Sequence, residues 1–212
     1  MLGAERLPNM FNFLLILIIV AVTVSLIKDG LWSNTITLLN VITSAVVATN
    51  YFEPVADLLT GFVPSFVHFW GVVSLALCFT VSFLMLRALT LKLSRYRVRF
   101  TPPVDNFGGI AVAAVAGWVL VCFFAFAMHL APVGRTAFGG SFDPEAKMFY
   151  GLAPDRLWLG FAQKLSNGGG WGRNATDEDG NVVSMFDPQG EFLLKYASRR
   201  AYLDKKNINF AP

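Results

Sequence analysis

The side chains best suited to metal binding or nucleophilic catalysis are few in this 212-residue sequence and lie far apart. There are two cysteines, Cys78 and Cys122, and two histidines, His68 and His129. A metal site usually takes three or four such ligands, often at short spacings, and a catalytic nucleophile needs a base beside it. The sequence has no motif of either kind. It therefore predicts a non-enzymatic protein with no catalytic residue, no metal site and no cofactor.

The composition indicates a membrane protein. Hydrophobic residues make up 55% of the chain and charged residues 15%, whereas a soluble domain carries about 25% charged residues. The mean hydropathy is +0.54. The net charge of +3 is too weak to indicate a nucleic-acid partner, so none is expected.

Charge divides the chain into two regions. Residues 1–134 contain 12 charged residues, and residues 135–212 contain 19. The first region has four uncharged stretches that are each long enough to cross a bilayer as a helix, which takes about 20 residues. We place the four transmembrane helices at residues 10–27, 32–51, 66–86 and 108–130. The predicted fold is an all-α membrane protein, a bundle of four transmembrane helices with a small, mostly helical C-terminal appendage.

The second predicted span is the most polar of the four, with asparagine, threonine and serine throughout residues 34–50. One interpretation is an amphipathic helix that lies along the membrane surface. The preferred interpretation is a span whose polar side faces the other helices, where hydroxyl and amide groups can bond across the bundle.

Basic residues near the spans predict the orientation, because cytoplasmic loops are enriched in lysine and arginine. The link at 53–65 has acidic residues and no basic one, so we place it outside, together with both termini, in the periplasm of a bacterium. The link at 87–105 is predicted to be a cytoplasmic basic loop. Its basic residues are Arg87, Lys92, Arg95, Arg97 and Arg99. Two interpretations stay open for them, plain positive-inside anchoring and a site for anionic lipid or a cytoplasmic partner.

The last predicted span opens with an acidic residue and carries a line of small residues. Asp105 is expected to cap this helix, since a carboxylate accepts hydrogen bonds from the free amides at a helix start. Gly109, Ala113 and Gly117 follow at intervals of four, a pattern that lets another helix approach closely. The sequence leaves open whether that helix belongs to this chain or to a second copy.

The region 135–212 is predicted to be a soluble tail with two amphipathic helices. Pro154 and Asp155 open a helix that extends to about Ser166, and a second helix is placed at 190–206. Turn residues on both sides of 181–186 indicate a short hairpin between the helices. The apolar faces of the two helices either pack together or lie on the membrane surface.

Two stretches resemble the CvpA (colicin V production) family of bacterial inner-membrane proteins. The first is the apolar first helix with the glycine turn that follows it at Gly30. The second is the aspartate of the last span with the small residues behind it, Asp105, Gly109, Ala113 and Gly117. The resemblance covers the four predicted spans and not the tail.

The resemblance implies an inner-membrane protein that is linked to toxin production or export and to envelope homeostasis, with no settled biochemical activity. The leading prediction is a protein that works by assembly, as a homo-oligomer or within an envelope or export complex, with the lipid bilayer around it. The alternative is a small oligomeric channel in which the polar face of the second helix lines the pore.

Overall fold

The computed structural model describes residues 7–94, 98, 100–133, 148–167, 172–176 and 180–208, and over these residues the chain is mostly helical. The helices are α1 (Leu7–Leu26), α2 (Gly30–Phe62), α3 (Val67–Leu93), α4 (Pro102–Met128), α5 (Pro154–Ser166) and α6 (Phe192–Ile208). A 3₁₀ turn, Pro64–Phe66, leads into α3. Two short strands, β1 (Asn174–Thr176) and β2 (Val182–Ser184), pair antiparallel as a hairpin between α5 and α6.

Three of the described helices are long and apolar enough to cross a membrane. They are α2, α4, and the stretch Pro64–Leu93 that combines the 3₁₀ turn with α3. α1 is apolar as well, but its apolar stretch, Met10–Leu26, is shorter than these three. Such helices fit a membrane protein, because every backbone amide in hydrocarbon needs a partner within its own segment.

α2 is longer than the sequence predicted. The sequence predicted a span that ends at residue 51 and a loop at 53–65. The observed helix has 33 residues and ends at Phe62. That loop prediction is wrong because Pro54 and the acidic residues beside it end the apolar run without ending the helix. A proline removes one backbone hydrogen bond, which costs less where water can reach the freed carbonyl. At 1.5 Å per residue α2 is about 50 Å long, which exceeds a hydrocarbon thickness of about 30 Å.

The polar residues of α2 face the interior of the bundle. Those that are buried are Asn34, Asn40, Ser44, Thr49 and Asn50. The Asn40 side chain donates to Thr90 Oγ1 of α3 at 3.0 Å, and the Ser44 and Thr49 hydroxyls donate to carbonyls one turn earlier in α2. The polar side of α2 therefore meets the other helices, as the preferred interpretation expected.

α2 and α4 lie at the centre of the bundle. α2 packs along both α3 and α4, and α1 packs along α4. α3 reaches α4 where the rings of Phe79 and Phe123 lie 5.0 Å apart. Alanines are frequent where α2 and α4 are buried, and a small side chain there lets two helices approach closely. Five of these alanines are fully buried, Ala45, Ala48, Ala113, Ala116 and Ala125.

The C-terminal segment shares a core with the bundle. Phe192 of α6 stacks on Phe126 of α4 with ring centroids 4.7 Å apart and lies edge-on to Phe52 of α2 at 6.4 Å. Phe186 and Tyr196 belong to the same buried cluster. α5 spans the residues that the sequence predicted, and α6 begins two residues later than expected. Both helices bury part of their apolar surface against α2 and α4.

Candidate functional site

The Asp105 carboxylate forms a polar junction at the end of the bundle where α2 and α4 begin. Its Oδ1 atom accepts a hydrogen bond from the backbone N–H of Leu31 at 2.9 Å. Leu31 is in the first turn of α2, where amides lack partners within the helix, so Asp105 caps α2. The expectation that it caps α4 is wrong, because α4 begins at Pro102 and Asp105 already lies within its first turn.

Asn34 extends this contact into what we call the Asp105 junction, formed by Gly30, Leu31, Asn34, Asp105 and Gly109. The Asn34 side-chain amide donates to the Leu26 carbonyl at the end of α1 at 3.0 Å and to the Gly109 carbonyl of α4 at 2.9 Å. Asn34 is fully buried, and a buried amide that loses its partner is costly. One side chain thus connects three helices.

Gly30 is required by its conformation and by its surroundings. Its φ is +76°, a left-handed value that favours glycine. A β-carbon at this position would also lie 2.9 Å from Asp105 Oδ2. The glycine turn between α1 and α2 and the aspartate of α4 are therefore parts of one contact, although 74 positions separate Leu31 from Asp105 along the chain.

The small residues of α4 lie against two other helices of the same chain. A β-carbon on Gly109 would lie 3.2 Å from the backbone of Gly30, at the start of α2. One on Gly117 would lie 3.1 Å from the Ile19 carbonyl oxygen of α1. Ala113, between the two glycines, is fully buried. The sequence left open whether the small residues of α4 contact a helix of this chain or of a second copy. In this structure they contact α1 and α2 of this chain.

The predicted basic loop is in part a helix. Arg87 and Lys92 lie on α3, which continues to Leu93, and both side chains are exposed. The loop prediction placed the helix end too early, because leucines continue between the first charged residues and favour helix. The remaining three, Arg95, Arg97 and Arg99, lie outside the described residues.

A second polar junction lies at the opposite end of the bundle. We call it the His129 junction, and it consists of His129, just after α4, Asp155 of α5 and Arg200 of α6. His129 Nε2 lies 3.0 Å from Asp155 Oδ2. Arg200 Nη1 donates to the His129 carbonyl at 3.0 Å and lies 3.3 Å from His129 Nδ1. All three residues are buried, each with 2% of its surface exposed.

The surroundings of His129 favour the neutral imidazole. Burial lowers its pKa below the ordinary value, the Asp155 carboxylate acts in the opposite direction, and the Arg200 and Arg156 cations add to the lowering. A neutral ring with its proton on Nε2 donates to Asp155 and accepts from Arg200 at Nδ1. The ring then joins a carboxylate to a guanidinium, so that the buried charges are balanced.

This geometry suits a structural link better than acid–base chemistry. A general base needs a ring nitrogen within reach of a substrate proton, and both His129 nitrogens face protein partners inside a buried cluster. The junction instead connects the end of α4 to the start of α5 and to α6. Its members are separated by 26 and 71 positions along the chain.

Sequence reasoning missed the His129 junction. No carboxylate lies near His129 along the chain, so a histidine at the end of a span has no visible partner. Asp155 lies in the first turn of a predicted helix, where an acidic residue is common, so nothing in the sequence pointed to a distant partner. The one signal that could have suggested a pair was the position of both residues at helix ends on the same predicted side of the membrane.

α6 also makes charged contacts with α2 and α3. Lys195 Nζ lies 2.8 Å from Glu53 Oε1 in a partly exposed ion pair. Arg199 donates to the Val67 carbonyl and to His68 Nδ1, the latter at 3.4 Å. Exposed ion pairs contribute about 0–1 kcal/mol, so these contacts orient α6 more than they stabilise it.

Residues 11–142 match the family described as colicin V production protein. The chain belongs to this family. The resemblance drawn from the sequence is thereby confirmed, and neither a curated protein nor a solved structure matches the chain. The matched residues include most of α1 and all of α2, α3 and α4, and with them the whole Asp105 junction. In this colicin V production family member, Asp155 and Arg200 lie beyond the matched region.

We predict that alanine at Gly109 or Gly117 destabilises the protein by about 1–3 kcal/mol, because the added methyl group overpacks a backbone contact. Gly61→Ala is the matched control, since Gly61 also lies in a helix and a β-carbon there meets nothing within 4 Å. Thermal unfolding in detergent measures the three variants against the unchanged chain. Equal effects at all three glycines would show that the close contacts have no special role.

We predict that acidification weakens the His129 junction. Folding lowers the pKa of His129 from the ordinary 6.5, so below that pH the unfolded state binds more protons and stability falls as the pH drops. One proton contributes at most about 1.4 kcal/mol per pH unit. Thermal unfolding between about pH 7.5 and 5.5 measures this slope.

One variant separates this effect from other titrating groups. His129→Asn should be less stable near neutral pH and should lose part of the slope, because the ring that is kept neutral by burial is gone. An undiminished slope in His129→Asn would contradict the prediction.

Proposed function

We propose that α1 is a fourth transmembrane helix, so that the chain crosses the inner membrane four times. α1 has 20 residues, enough at 1.5 Å per residue for about 30 Å of hydrocarbon. Its outward side is apolar and exposed at Phe13, Leu17 and Val20, a surface that suits lipid and is unfavourable in water. α1 also packs along α4, which is long and apolar enough to cross a membrane.

The Asp105 end of the bundle is proposed to face the cytoplasm. Lys28, Arg87 and Lys92 lie toward this end, whereas Glu53 and Asp57 lie toward the other end of α2. Cytoplasmic ends of spans carry the excess of lysine and arginine. Four crossings then put the start of α1 and the whole C-terminal segment on the periplasmic side.

The proposed role is non-enzymatic. The protein acts in toxin production or export and in envelope homeostasis, through assembly with itself or with envelope or export proteins. Membership of the colicin V production family is the observation that carries this proposal. Both polar junctions support it, because the buried groups of Asn34 and His129 hold helices together and leave no reactive atom open to a substrate.

The small-channel alternative has less support. It requires the polar face of α2 to line a pore that contains water. That face is buried within the chain, where Asn34 bonds to α1 and α4 and Asn40 bonds to α3. A pore along this face would have to open those contacts.

The proposed orientation predicts opposite labelling at two serines. Ser65→Cys, in the exposed 3₁₀ turn, should react with a membrane-impermeant thiol reagent in intact cells. Ser94→Cys, directly after α3, should react only after the cells are opened. Both variants are made in a chain whose Cys78 and Cys122 are replaced by alanine. Labelling of position 94 from outside intact cells would reverse the orientation.

The proposed assembly predicts that the full chain, crosslinked in its native membrane and extracted in mild detergent, migrates as an oligomer or with a defined partner protein. An unrelated membrane protein with the same tag identifies proteins that bind without specificity. A monomer without a partner would contradict the assembly proposal. Ion flux through the purified protein in liposomes would favour the channel in its place.

A further inference from the structure

α5 has apolar residues on two sides, and the bundle covers one of them. Trp158, Leu159 and Ala162 are buried against the bundle. The second apolar side, which we call the apolar flank, consists of Leu157, Phe161 and Leu165. These residues follow at intervals of four, so they form one line along the helix, and they are 51%, 42% and 42% exposed.

The buried side of α5 contacts α2 and α4 within their apolar stretches. Trp158 Nε1 donates to Thr49 Oγ1 of α2 at 3.0 Å, and the Trp158 ring lies 5.4 Å from the ring of Phe123 on α4. Phe123 is five positions before the end of α4 at Met128, which is about 8 Å along the helix axis. α5 therefore lies beside the membrane-crossing part of the bundle and not on top of it.

The segment that leads into α5 reaches deeper still. Phe149 contacts Trp118 of α4, with ring centroids 5.7 Å apart, and Trp118 lies about 15 Å along the helix axis from the end of α4. Met148 is buried among Phe11 and Leu15 of α1. The chain thus enters α5 from a position alongside α1 and α4 at a depth where hydrocarbon is expected.

The remaining side of α5 is polar. Arg156 and Gln163 are partly exposed, and at 100° per residue they lie on the side of the helix opposite Phe161 and Leu165. Lys164 is exposed and lies about 60° from Phe161, at the edge of the apolar flank beside Leu157. A helix with an apolar flank, a basic polar flank and one buried side matches the requirements of the boundary between acyl chains and headgroups. Cationic side chains there can reach anionic headgroups while their stems remain along the apolar surface.

We propose that α5 is an interfacial membrane helix whose apolar flank contacts lipid acyl chains in the leaflet at the His129 end, with Lys164 at the headgroups. The occupant of the flank is the bilayer, because α5 packs on α4 at the depth of Phe123, toward the end of the bundle where α1 exposes Met10 and Phe13. The inference rests on the proposed crossing of the membrane by these helices. For α5 it favours the second of the two interpretations that the sequence left open, contact with the membrane surface.

Spin labels at single cysteines test the depth of the flank in the full chain, reconstituted in liposomes of phosphatidylethanolamine and phosphatidylglycerol. The variants are Phe161→Cys and Leu165→Cys, with Cys78 and Cys122 replaced by alanine. Both side chains are exposed, so their replacement removes little core packing. If either variant does not accumulate in the membrane, Leu157→Cys replaces it. The measurement is the ratio of accessibility to oxygen, which concentrates in hydrocarbon, over accessibility to a water-soluble nickel complex.

Three further positions calibrate this ratio. Val20→Cys on the outward side of α1 is the lipid reference, Val182→Cys on the exposed hairpin is the aqueous reference, and Lys164→Cys is the control within α5. The proposal expects ratios at Phe161 and Leu165 that are several-fold above that of Val182 and close to that of Val20. Lys164 should lie between the two references.

The other outcomes overturn the proposal in distinguishable ways. Aqueous ratios at Phe161 and Leu165, with a lipid ratio at Val20, would reject the interfacial helix and leave the four crossings intact. Low accessibility to both reagents would mean that protein, such as a second copy, covers the flank. An aqueous ratio at Val20 itself would reject the proposed crossing of α1 as well.

Discussion

The hydrogen bond between the Asp105 carboxylate and the Leu31 amide places the start of α2 against the first turn of α4. A backbone amide that loses its partner away from water costs about 1–3 kcal/mol, so this bond favours keeping the two helix starts together. The carboxylate takes the space beside Gly30, which leaves no room for a side chain there. With that turn fixed, Asn34 reaches carbonyls of both α1 and α4. The same two helices, α2 and α4, carry Phe52 and Phe126 of the aromatic cluster toward the other end, where His129 lies.

Local patterns were sufficient for much of the fold. The bounds of α5 were predictable because Pro154 and Asp155 favour a helix start and Asn167 favours a helix end. The apolar runs predicted the three described helices that are long and apolar enough to cross a membrane, because length and composition decide whether a helix can cross. The end of α2 was not predictable in this way, because Pro54 and the acidic residues beside it have the composition of a loop although the helix continues to Phe62.

The polar junctions show where local patterns stop being informative. Asp105 stands at a helix start, and the pattern is the same whether it caps its own helix or the neighbouring one. Asp155 and Arg200 sit in amphipathic helices where charged residues are ordinary, and only the fold brings them to His129. The glycines of α4 were predictable because close helix packing requires small residues at regular intervals. The spacing does not say which helix lies against Gly117.

The aromatic cluster that joins the bundle to the C-terminal segment has a consequence for biosynthesis. Phe52 and Phe126 emerge from the ribosome well before Phe186 and Phe192, which complete the cluster. Until those last residues arrive, the inserted helices present uncovered aromatic rings near one membrane surface, and such surfaces favour aggregation. The C-terminal segment thus covers aromatic rings of helices that are made before it, and a chain that stops before Phe186 leaves those rings uncovered.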